Sequence, residues 1–193
     1  YESLYSEQGI SSPATLLKMA YIKEGLGDYS NALFYLSAYF KQTLDEKALD
    51  KINELVEANE LKGYTTDNNA YIQGAIAQYG KYILGGLLLL ICAGLLLAVR
   101  QVSIGKSPAL LAVMLVLLIP MPFVINYDFP KPTAIVMDDT TYLMDGPSGS
   151  ANVMETVSKG HKVQLTSTNG LWVKVRWEEG EYYVRRSKIK EII

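Results

Sequence analysis

The stretch KYILGGLLLLICAGLLLAVRQVSIGKSPALLAVMLVLLIPMPFVINY, residues 81–127, holds no acidic residue, and its only bases are Lys81, Arg100 and Lys106. No charge interrupts it from Tyr82 to Val99 or from Ser107 to Tyr127. A helix rises about 1.5 Å per residue and the hydrocarbon core of a bilayer is about 30 Å thick, so roughly 20 apolar residues span it. Both runs approach that length, and neither carries the periodicity of a surface helix. Buried core helices are the competing reading, but the 80 residues before and the 66 after are too few to wrap such a pair on all sides. The sequence therefore predicts a membrane hairpin, with a first span over about 80–99, a loop over 100–106 and a second span over 107–127.

Short loops rich in Lys and Arg stay on the cytoplasmic side. Arg100 and Lys106 thus predict a cytoplasmic loop, with both termini on the opposite, periplasmic side of a bacterial inner membrane. Gly85, Gly86 and Gly94 would let the first helix pack closely against a neighbour. Pro120 and Pro122 would kink or end the second, and Tyr79, Tyr82 and Tyr127 fall where an interfacial aromatic belt is expected. With no ionisable residue inside either run, a proton or ion pathway of the usual kind is not expected.

Charge divides the chain into three. Residues 1–80 carry −5, residues 81–127 carry +3 and residues 128–193 are neutral, giving the net −2. Neither flank has the basic excess of a nucleic-acid binder. Cys92 is the only cysteine and lies inside the apolar run, so it forms no internal disulfide. The first residue is Tyr1 rather than Met, which fits a processed N-terminus.

The expected organisation is a multi-domain membrane protein, with a helical module over 1–66, a transmembrane hairpin over 67–127 and a small all-β barrel over 133–193. In the first module, Ser12 and Pro13 open a helix, Gly25 and Gly27 close it, and Asp28 or Ser30 opens the next. Thr43 and Glu46 have capping-box spacing ahead of a third helix bearing Ala48, Ile52, Leu55 and Val56. Tyr21, Tyr29, Phe34, Tyr35, Tyr39 and Phe40 crowd one hairpin. Most belong to a core, while Tyr35, Tyr39 and Phe40 are candidates for a partner-binding groove. Residues 62–70, KGYTTDNNA, read as a polar joint.

After Pro130 and Pro132 the pattern turns to short strands: AIVM, YLMDGPS, NVMETV, HKVQLTST, LWVKVRW and EYYVRR. Gly, Asn, Asp and Ser clusters separate them. Five or six such strands predict an SH3-like barrel. Tyr142, Trp177 and Tyr182 are its exposed candidates for a binding groove, with Trp172 packed inside.

His161 is the only histidine. With one remote cysteine it makes no metal cluster and no nucleophile pair, and its place after Gly160 predicts a solvated side chain. Asp138, Asp139, Glu178 and Glu179 read as turn carboxylates, and no phosphate-binding loop is present. No catalytic, cofactor-binding or metal-ligating residue is expected, and the chain is not expected to be an enzyme.

Residues AYIKEGLGDYSNALFYL resemble a tetratricopeptide repeat, with Ala20, Gly27, Asp28, Tyr29, Ala32 and Leu36 at matching places and Gly25-Leu26 as an insertion. Residues 133–193 resemble the bacterial SH3 family through Pro147-Ser148, Val157, Gly160, Val163, Leu165, Trp172-Val173-Lys174-Val175, Gly180, Tyr183-Val184 and Ile189. They depart from it at Met144 and Tyr183. The order of modules resembles that of the BatE-like aerotolerance-operon envelope proteins of the Bacteroidota. These resemblances imply a non-catalytic inner-membrane scaffold or accessory subunit, held in the lipid bilayer and partnered by other inner-membrane proteins. The alternative they imply is an envelope sensor that binds peptidoglycan through the barrel and signals through the hairpin.

Overall fold

The computed structural model describes residues 12–64, 69–103, 109, 112, 113, 116 and 131–192. Among them are four helices: α1 (Pro13–Gly25), α2 (Tyr29–Thr43), α3 (Glu46–Ala58) and α4 (Asn69–Ser103). Seven strands follow: β1 (Thr133–Val136), β2 (Thr141–Met144), β3 (Val153–Val157), β4 (Lys162–Asn169), β5 (Trp172–Trp177), β6 (Gly180–Arg185) and β7 (Ile189–Ile192). One compact unit takes in α1, α2, α3 and the whole sheet, and a second, Ala75–Pro130, takes in most of α4.

Each of the first three helices starts on a side chain that satisfies an orphan backbone donor. Ser12 accepts from the Thr15 N–H, and Pro13 occupies the first turn, where no donor is needed. Asp28 accepts from the Asn31 N–H at 3.3 Å to start α2. Leu44 ends α2 in the left-handed region, φ 54°, with its N–H bonded back to the Phe40 carbonyl. The expected capping box is displaced. Asp45 caps α3 by accepting from the Lys47 N–H at 3.0 Å, whereas the Thr43 hydroxyl donates to the Tyr39 carbonyl.

The sheet is antiparallel in the order β3-β2-β6-β5-β4-β1-β7. Side chains alternate across it, and one face makes its own core from Ala134, Val136, Leu143, Val163, Leu165, Val173, Val175, Trp177 and Val184. The opposite face of β1 and β7 gives Ile135 and Ile192 to a second core built on the helices. Strand β1 is therefore buried on both sides, which explains the unbroken apolar run Ala134-Ile135-Val136. Helix α2 lies between α1, α3 and the sheet edge, so Ala32 through Ala38 are all buried rather than one stripe.

The membrane expectation is corrected. Among the described residues no helix is long and apolar enough to cross a membrane. The chain is a four-helix, seven-strand α+β protein over its described residues. The multi-pass inner-membrane assignment, the periplasmic termini and the lipid bilayer as partner go with the hairpin. Lys106 and nearly all of the second apolar run lie outside the described residues. Within α4, Gly85 and Gly86 are exposed, and a Cβ at either would meet nothing within 4 Å; Gly94 is half-buried and Arg100 exposed. Ile91 and Ala98, seven residues apart on one face, are buried, while Leu89, Leu90 and Leu96 are exposed.

Candidate functional site

Three places in the first unit gather side chains that could recognise something. The first is a groove of about 950 Å³ on the helices, lined by Leu17, Lys18, Tyr21, Ile22, Leu36 and Lys51 among others. Helix α1 turns its Leu16, Met19 and Ala20 inward and leaves Leu17, Tyr21 and Ile22 on the outside. Tyr21 is 79% exposed and Leu17 44%. Lys51 of α3 closes one side, bridging Glu24 at 2.7 Å and Glu54 at 3.0 Å. These two carboxylates hold its pKa above the ordinary lysine range. Lys18 makes no ion pair among the described residues and is the groove's cation open to a ligand.

The second place is the junction between helices and sheet, where the supposed polar joint is docked. The Lys62 carbonyl accepts from the Lys162 N–H at 3.0 Å, and the Lys62 N–H donates to His161 Nδ1 at 2.9 Å. The Tyr64 hydroxyl donates to the Gly160 carbonyl at 2.7 Å, and burial pushes its pKa far above the usual range. Gly63, at φ +87°, faces the Lys162 carbonyl so closely that an added Cβ would stand 1.8 Å from that oxygen. Gly160, also at φ +87°, lies against the Tyr29 ring and Leu61.

Cations on the sheet meet aromatic rings on the helices here. Lys190 and Lys162 flank Ile135 in register, so all three face the helical side. The Lys190 ammonium stands 4.1 Å from the Phe34 ring centroid and 4.8 Å from that of Tyr35. That of Lys162 stands 5.3 Å from the Tyr64 centroid, where lost hydration, with Lys41 adding repulsion, holds its pKa at about 8. Burial also lowers the pKa of Lys41, whose ammonium donates to the Ile192 carbonyl. Such contacts give a desolvated cation a partner of opposite electrostatic sign.

The third place is the outer face of the sheet. Tyr142 is 54% exposed. Met144 lies opposite Tyr183, which sets Tyr142 and Arg185, each two residues further on, at one end of β2 and β6. Arg185 lies opposite Trp172, with its guanidinium 5.6 Å from the ring centroid. Tyr142, Arg185 and Trp172 thus form a row that is partly open to solvent.

The candidates expected from sequence are scattered among these places. Tyr35 and Phe40 are buried in the helical core, and Tyr39 is half-buried with its hydroxyl bonded to Asp45 at 3.1 Å. None of the three lines the groove, which the more exposed helix α1 supplies. The two tryptophans exchange their expected roles. Trp177 is 5% exposed, with Nε1–H bonded to Glu155 and its ring edge-on to His161, whereas Trp172 faces outward. Tyr182 is half-buried against the sheet core, and of the three sheet candidates only Tyr142 is exposed. His161, expected to be solvated, is half-buried and bonded to Lys62. Among the described residues no group of three or more His, Cys, Asp or Glu is placed to hold a metal ion. No family model matches the chain and no curated relative is found for it, so the resemblances to the tetratricopeptide repeat, the bacterial SH3 family and the BatE-like proteins have no support beyond the residues that suggest them.

Proposed function

We propose that the protein is a non-catalytic interaction scaffold whose helical groove holds a protein segment with apolar side chains and an acidic residue. The observation that carries this reading is the pairing of exposed Leu17, Tyr21 and Ile22 with Lys18 on one side of α1. Large apolar side chains gathered in a concavity favour a partner that buries them. The ammonium of Lys18, without an ion pair among the described residues, favours a carboxylate on that partner, because Glu24 is already engaged by Lys51. A peptide array of Leu- and Ile-rich segments, with and without flanking Asp or Glu, tests this with the full chain as probe. Tyr21→Ala with Leu17→Ala is expected to weaken the best segment at least about ten-fold, since exposed anchors of this kind contribute about 1 kcal/mol or more each. Lys18→Glu should reverse the preference for acidic flanks. Equal binding by wild type and the double variant would reject the groove as the site.

The row Tyr142, Arg185 and Trp172 favours a second reading, in which the sheet face holds a cell-wall glycan. Flat aromatic rings beside a guanidinium offer apolar faces and hydrogen-bond donors to a sugar. Retention of the full chain on purified peptidoglycan sacculi should drop several-fold in Trp172→Ala with Tyr142→Ala. Absence of retention in the wild type would remove this reading and leave the groove.

A further inference from the structure

We propose that the Lys62–His161 contact is an acid-released clasp that ties the helical half of this unit to its sheet. The contact is independent of what occupies the groove. It sits where Leu61, Lys62, Gly63 and Tyr64, which follow α3, press onto Gly160, His161 and Lys162 at the start of β4. His161 Nδ1 accepts the Lys62 N–H at 2.9 Å, so the imidazole must be neutral with its proton on Nε2. A proton on Nδ1 would turn this acceptor into a donor that faces a donor. The Lys62 N–H would then face a like donor and lose its partner in an exposed contact, which costs about 1 kcal/mol.

The charged groups around the ring set the direction of the response. From the docked segment comes the Lys62 ammonium, which is bound to Glu178 of the β5–β6 turn at 2.8 Å. From β3 comes Glu155, whose carboxylate accepts from Trp177 Nε1 at 3.1 Å. Beside the ring in sequence are Lys162, with Lys41 of α2 near it, and Lys159, which pairs with Asp139. The Tyr64 phenol remains neutral. The carboxylates in reach are already engaged, and the Lys62 ammonium opposes a second positive charge. Burial and the Lys62 charge favour neutral imidazole, so the His161 pKa lies below its ordinary value of 6.5.

The sign follows. Because the folded pKa is depressed, this contact contributes its full stability above about pH 6.5 and loses it as pH falls through the folded value. What opens first is the docked segment. The remaining links, Lys162 N–H to the Lys62 carbonyl and the Tyr64 hydroxyl to the Gly160 carbonyl, hold it more weakly once the third is gone.

His161 is the only histidine, so its ring resonances report one imidazole without overlap. The test is amide exchange of the full chain between pH 7 and pH 5, read as protection factors and paired with the imidazole titration. Lys62 protection should fall about ten-fold or more as the ring titrates with a midpoint below 6.5, the equivalent of one lost hydrogen bond. The Val173 and Val184 amides, in the buried ladder of β5 and β6, should not change. His161→Asn places a non-titrating oxygen near the position of Nδ1, and its Lys62 protection should be flat with pH. His161→Ala should show low protection throughout. Constant wild-type protection across the imidazole titration would overturn the clasp, as would the same fall in His161→Asn. A fall shared equally by Val173 and Val184 would also overturn it, since that is global unfolding.

Discussion

Gly63→Ala is expected to lower the stability of the first unit by about 3 kcal/mol or more, a large effect for a single methyl group at an exposed position. Two costs add at this residue. Its φ of +87° is one that a side chain with a Cβ adopts only with strain, about 1–2 kcal/mol. The new Cβ would also stand 1.8 Å from the Lys162 carbonyl oxygen and 2.8 Å from its carbon. Both of those atoms are backbone, and no rotamer change relieves the clash. Segment 61–64 would have to lift from β4. That lift stretches the bonds from Lys162 to Lys62, from Lys62 to His161 and from Tyr64 to Gly160, each worth about 1 kcal/mol. Gly170→Ala is the matched control, because Gly170 has φ +62° and nothing within 4 Å of an added Cβ. It should cost only the backbone part, about 1 kcal/mol. Urea unfolding followed by tryptophan fluorescence reads both variants, with Trp177 packed against His161 at the affected junction. Equal losses in the two variants would mean that the junction contributes nothing to stability.

The helix starts at Ser12 and Asp28 and most of the strands were legible because they depend on neighbours in sequence. The facing of the two tryptophans is legible too, from strand parity. In WVKVRW, Lys174 and Arg176 need solvent, so Trp172 shares their face, while Trp177 shares that of Val173 and Val175. The same parity with Val184 turns Tyr182 inward. The burial of Tyr35 and Phe40 is not legible locally, for a different reason. Helix α2 has neighbours on several sides, and the face that meets Lys190 is defined only by a strand more than 150 residues away. The junction lay beyond local reasoning as well, since Lys62 and Tyr64 are joined to partners 99 and 96 residues distant. Its one sequence signal was Gly63 between a lysine and a tyrosine, where glycine marks a close backbone approach. The membrane hairpin rests on the length of two uncharged runs and on the loop charges Arg100 and Lys106, and among the described residues no helix is long and apolar enough to cross a membrane.

Lys162→Met is expected to raise stability by about 2 kcal/mol at pH 7, an unusual direction for a change beneath a packed interface. A lysine pKa held at about 8, against the ordinary 10.5, makes charging the amine in place cost about 3 kcal/mol. The attraction of its ammonium to the Tyr64 ring is worth about 1 kcal/mol and is lost in the variant, which leaves the net gain. Methionine keeps the unbranched stem and needs no water. The pH dependence separates this cause from a simple packing change. Wild-type stability from Lys162 is fully present above pH 10.5, where the amine is neutral in both states, and is lost as pH falls towards 8. The variant's advantage should therefore be constant below pH 8 and disappear by about pH 10.5. Lys62, Lys159 and Lys174, whose carboxylate partners raise their pKa values, respond oppositely in alkali, but they do so in both proteins and cancel in the difference. Paired denaturant titrations from pH 7 to 10.5 measure it. A less stable variant at pH 7, or an advantage unchanged up to pH 10.5, would show that the Lys162 ammonium is solvated in place and that its contact with Tyr64 carries no desolvation cost.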